Sequence, residues 1–191
     1  MIDISFNFVM NEINEYLNAK LNPTPKNIVI LADAVKIADS ANQENNIFLS
    51  LINIEEDRIS RNPENFVKVD NRVVYKNPKV NLNLYCIFVI NKKDDYFGAL
   101  RQLSSVIQFF QFKNVFTHEN SPSLDPGIDK IIFDLHSLNF EQLNHLWGVL
   151  GGKYLPSVMY KMRMITIDEN MPESEGELIK TIKLEGQNYS H

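Results

Sequence analysis

The densest cluster of ionisable side chains is Glu55-Glu56-Asp57-Arg58. Neighbouring carboxylates raise one another's pKa, which is how a carboxylate pair is prepared for acid–base work. On a strand, though, Glu55 and Asp57 point one way while Glu56 and Arg58 point the other. The cluster reads as a charged strand end that meets solvent or a partner. The four histidines, His118, His136, His145 and His191, include no HxxxH pair and give no metal-ligand spacing. Ser104 and Ser105 lack the G-x-S-x-G elbow of a nucleophilic serine. Gly151-Gly152-Lys153 looks like a phosphate cradle, but it falls at the C-terminal end of a helix, where the dipole repels anions. Cys86 stands alone inside an apolar run, so it forms no intramolecular disulfide and reads as a small buried hydrophobe. No catalytic set, no metal site and no cofactor are expected.

These residues must be placed by their flanking elements. Phe6, Val9, Ile13, Tyr16 or Leu17, and Lys20 or Leu21 recur at helical spacing, with Asn11, Glu12, Asn14, Glu15 and Asn18 on the opposite face. Asn22-Pro23 and Pro25 stop that helix. A short strand follows over Asn27 to Leu31, then a helical stretch from Ala34 to Ala38. From Ile47 the period becomes two, with Ile47, Leu49, Leu51, Asn53 and Glu55 on one side and Phe48, Ser50, Ile52 and Ile54 on the other. Phe66 to Tyr75 reads as a hairpin loop, and Val80 to Ile90 is the clearest strand.

Asp94 or Asp95 opens a helix over Tyr96 to Phe112, with Leu100, Leu103, Val106, Ile107 and Phe110 on its apolar stripe. Thr117 to Gly127, with two prolines, is an exposed loop. A strand over Asp129 to His136 leads to an Asn139-capped helix that runs to Gly151 and buries Leu143, Leu146, Trp147 and Leu150. Ser157 to Ile167 is a further strand, and Leu178 to Leu184 another candidate. The expected fold is α+β: a mixed, mainly antiparallel sheet packed with helices.

The composition is that of one globular domain, 44% hydrophobic and 23% charged over 191 residues. A net charge of −5 argues against binding nucleic acid by phosphate neutralisation. The longest apolar stretch, Tyr85 to Ile90, is far short of the roughly 20 residues that cross a bilayer. The start of the chain has no basic n-region or apolar h-region, so synthesis and assembly in the cytoplasm are expected, without membrane insertion.

Four blocks together resemble a known family. They are Ile54 to Arg58 with Arg61-Asn62; Tyr75 to Pro78 with Val80 to Tyr85; Leu100 to Thr117; and Leu143 to Gly148 with Gly152 to Val158 and Tyr160-Lys161. They are similar to the N-terminal domain of the cap, or tail-terminator, proteins of extracellular contractile injection systems of the antifeeding-prophage type. The resemblance implies a phage tail-terminator-like fold over residues 1–168, followed by a tail or arm over 169–191. It further implies a non-enzymatic homohexameric ring on the distal end of an inner tube and sheath, with tube and sheath proteins as partners. Such a ring ends elongation, stabilises the extended sheath and becomes part of a particle that is released or stays with the cell. The alternative is a non-enzymatic adaptor module on the same fold. For such contacts Trp147, Tyr154 and Tyr160 are the candidate aromatic anchors. Arg58, Arg61, Lys153, Lys161 and Arg163 are the candidate charged partners, each weighed against a place in the core or in solvent.

Overall fold

The structure is a computed structural model that describes residues 1–21, 28–37, 47–57, 66–69, 72–75, 81–92, 95–166 and 174–176. Along the chain run α1 (Ile2–Leu21), β1 (Val29–Leu31), α2 (Ala34–Ile37), β2 (Ile47–Glu56), β3 (Phe66–Val69), β4 (Arg72–Tyr75) and β5 (Leu82–Ile90). Then come α3 (Tyr96–Phe112), β6 (Val115–Thr117), β7 (Ile128–Leu135), α4 (Phe140–Val149), β8 (Ser157–Thr166) and β9 (Ser174–Gly176). Six strands form one sheet in the order β1-β2-β5-β8-β7-β6. Only β1 and β2 run parallel in it; the other pairs are antiparallel. The expected mixed, mainly antiparallel sheet is present.

The segment from Phe66 to Tyr75 carries more than a loop. Its arms are strands β3 and β4, and β9 joins them in a second, three-stranded antiparallel sheet. Strand β6 has no counterpart among the elements expected from sequence, because three residues are too few to show a period. The strand expected over 178–184 lies outside the described residues, as do Arg58 and Arg61.

Alternation along the three central strands gives the sheet two apolar faces. On one face Ile47, Leu49, Leu84, Cys86, Phe88, Ile90, Tyr160, Met162 and Met164 meet α1 and α3 in the main core. Its centre is aromatic: the Phe110 ring lies 4.4 Å from both Phe133 and Tyr160. Fully burying a side chain of this size is worth roughly 1.5–3 kcal/mol. On the other face Phe48, Ile87 and Val89 meet Trp147 of α4, the Leu150 that caps its end, and Ala34 of α2.

Three local features depart from simple periodicity. The register between β2 and β5 slips between Leu51 and Asn53, so Ile52 is an extra residue. Beyond that bulge the alternation inverts: Asn53 and Glu55 join the face of Phe48, opposite Tyr85 and Asn83, while Ile54 opposes Leu84 on the other face. The α3 stripe rotates by about one position, with Phe109 buried and Leu100 exposed. Asn14, which helical spacing puts on the polar face of α1, is buried; its amide accepts from the backbone N–H of Ile28 and Val29 and donates to the Val29 carbonyl. The entry to an edge strand needs those backbone groups paired, and one amide serves all three.

Candidate functional site

The two sheet faces are covered unequally. Helix α4 starts at a capping box, in which Asn139 accepts from the Gln142 N–H at 2.8 Å and the Gln142 side chain accepts from the Asn139 N–H at 3.0 Å. It ends where Gly151 and Gly152 take φ of 101° and 76° and the Gly152 N–H returns to the Trp147 carbonyl. Ten residues between these stops cover Phe48, Ile87 and Val89. The adjoining part of that face carries polar rows.

Cross-strand register builds the rows. Asn53, Tyr85, Lys161 and Asp134 stand side by side on β2, β5, β8 and β7, and Glu55, Asn83, Arg163 and Ile132 form the next row. Arg163 reaches diagonally to Asp134, with Nε and Nη2 at 3.0 and 2.9 Å from one carboxylate oxygen. The Tyr85 hydroxyl donates to Glu55 at 2.9 Å, and the His136 ring stands edge-on to Tyr85 at 5.0 Å. Between these rows and α4 lies a groove of about 340 Å³, lined by Ile52, Glu55, Tyr85, His136, Leu146 and Met159.

Burial sets the protonation of two neighbouring groups on β5. Burial, reinforced by the bond to Glu55, raises the Tyr85 pKa, so the phenol keeps its proton at neutral pH. Cys86 lies on the opposite face, where burial pushes its thiol up to about 12, and only the thiolate is a good nucleophile. Among the described residues no group of three or more His, Cys, Asp or Glu could hold a metal ion. No described helix is long and apolar enough to cross a membrane.

The sequence-derived candidates separate clearly. Lys161 and Arg163 stand in the polar rows, and Lys153 and Tyr154 are exposed after α4. Trp147 and Tyr160 are buried, so they are packing residues and offer no contact area: Trp147 holds α4 down, with the Tyr154 ring edge-on at 5.6 Å, and Tyr160 sits in the aromatic core. Burial takes the Tyr160 hydroxyl to about 12. Tyr85, Asp134 and Asn83 were not among the candidates. The signal for Asn83 and Tyr85 is the alternation of Asn81, Asn83 and Tyr85 against Leu82, Leu84 and Cys86, and that for Asp134 is its alternation with Phe133 and Leu135; each puts polar groups on one face of its strand.

The lateral edge at β6 is closed to further pairing. The Asn120 side chain donates to the Val115 carbonyl at 2.9 Å and accepts from the Thr117 N–H at 3.0 Å, the outward backbone groups of that strand. An edge so capped cannot template another strand.

The half-open sheet face lies beside a sealed edge, and the fold that carries both is that of tube-terminating caps. Over its full length the chain matches a cryo-EM structure described as the sheath/tube terminator of an extracellular contractile injection system, PVC, in the extended state, with a TM-score of 0.65 and 13% identity. Over 93% of its length it matches the cryo-EM structure of the anti-feeding prophage cap, described as the AFP tube terminating cap, with a TM-score of 0.56 and 18% identity. The chain spans 64% and 60% of those two proteins. The chain belongs to the Pvc16 N-terminal domain family, whose model matches residues 7–181. No curated protein matches the sequence.

Proposed function

We propose that this protein is a structural terminator: a homohexameric ring on the distal end of the inner tube and sheath of a contractile injection particle. The observation that carries the reading is the family match over residues 7–181, joined to a full-length likeness in fold to a sheath/tube terminator. The physics agrees. A tube of stacked rings is a heterologous, open assembly, so its last ring always exposes an adhesive face. A terminator needs one face that fits that ring and another that recruits nothing. Copies joined in a closed ring bind multivalently, so a modest affinity per subunit becomes a long residence.

In this reading the protein ends elongation and holds the sheath extended without breaking a covalent bond, and tube and sheath proteins are its partners. Lys153, Tyr154, Lys161 and Arg163 contribute contacts, as do Arg58 and Arg61. Residues 1–168 act as the capping domain and 169–191 as an arm. The particle is assembled in the cytoplasm.

Removing the gene from a producing cell tests the proposal. The expected particles vary widely in length and carry prematurely contracted sheaths; particles of normal length with extended sheaths would contradict it.

A further inference from the structure

A ring of identical subunits needs two different patches on each copy, one that projects and one that receives. The first turn of α3 projects. Tyr96 and Phe97 are 63% and 72% exposed there, and the Arg101 guanidinium lies 5.2 Å from the centre of the Phe97 ring. Four residues apart on a helix, ring and guanidinium share one face and hold each other in place. Aromatic and arginine side chains are the types that dominate docking energies.

The groove beside α4 is the complement of this projection. Its floor is apolar, from Ile52, Leu146 and Met159, and its wall carries the Glu55 carboxylate beside the Tyr85 hydroxyl and His136. At about 340 Å³ it matches the lower end of ligand-sized pockets, which is ample for one aromatic ring. Projection and groove lie on opposite faces of the six-stranded sheet. Helix α3 packs on the face of Phe88 and Tyr160, whereas the groove opens on the face of Tyr85 and Met159. A chain therefore cannot fill its own groove. Two copies joined this way leave one projection and one groove free for the next, as a closed ring requires.

We infer that the Phe97–Arg101 projection of one copy seats in the Glu55–Tyr85 groove of the next, with Phe97 over Leu146 and Met159 and Arg101 against Glu55. The pairing rests on the ring reading proposed above for its closure, and on charge and shape complementarity for its geometry. Arg101 supplies a planar cation whose N–H fork matches the two oxygens of the exposed Glu55 carboxylate, a geometry that a lysine ammonium cannot offer.

A charge swap in the full chain tests it, with assembled mass read by light scattering in solution and ring occupancy read in reconstituted particles. Arg101→Glu and Glu55→Arg, each alone, are expected to weaken self-association about tenfold or more, and the doubly swapped chain to recover most of the loss. Circular dichroism of each variant separates this from unfolding. Rings of full mass in both single variants, or no recovery in the double variant, would overturn the pairing. So would a wild-type chain that stays monomeric both alone and on particles. If Glu55→Arg leaves the ring intact and abolishes binding to tube ends, the groove receives the tube and the inference fails while the terminator reading stands. If the swap behaves as expected but the rings ignore tube and sheath, the pairing stands and the terminator reading fails.

Discussion

The two faces of the six-stranded sheet divide the work of the molecule. One is closed by α1 and α3 over a continuous aromatic and aliphatic core, and its one thiol is deeply buried. The other is closed by α4 over a smaller patch and then gives way to rows of Asn, Glu, Lys, Arg and Tyr beside a groove. The first face determines whether the chain folds. On the second face the patch under α4 also contributes to folding, but the polar rows beside it are a surface that folding tolerates without needing, and such a surface is free to serve a partner.

That division predicts very different penalties on the two faces. The largest is expected at Phe110, whose ring is stacked on Phe133 and packed on Tyr160 and Phe88. Phe110→Ala should lower stability by about 3–5 kcal/mol, because the rings around the cavity cannot all close in. Urea unfolding measures this, and a loss below about 1 kcal/mol would mean that the core is not where burial puts it. On the open face, Lys161→Glu with Arg163→Glu breaks the Arg163–Asp134 pair, in which both partners are substantially exposed. Exposed pairs contribute little, so stability should change by about 1 kcal/mol or less while assembly into particles falls. Equal and large losses on both faces would erase the distinction.

Much of the stable face is written plainly in the sequence. The period of two from Ile47, the apolar run ending at Ile90 and the helical stripe through Val106 and Phe110 all reflect burial, and burial imposes periodicity. What escapes is local pairing. The extra residue at Ile52 turns Asn53 and Glu55 to the other face, and no spacing rule announces a bulge. Asn14 looks like a surface residue until the backbone of β1 is seen to need its amide. Strand β6 is short, and its edge is closed by an asparagine three residues further along, in a segment whose prolines and glycine read as a loop.

The candidate site was legible in part for the same reason. Lys161 and Arg163 alternate with Tyr160, Met162 and Met164, so their shared face follows from strand geometry alone. Tyr160 and Trp147 carried the composition of interface anchors, yet large aromatic side chains serve cores equally well, and only packing decides between the two. The groove depends on how α4 settles over β5 and β8, a tertiary fact with no local sequence signal.

A terminator must stop a growing tube. Purified tube protein polymerised with increasing amounts of the chain, and imaged by electron microscopy, measures that directly. The expected result is a mean tube length that falls as the ratio rises, with a ring on one end of each tube and free ends of the opposite kind left bare. Tubes whose length ignores the ratio, with no ring at either end, would contradict it.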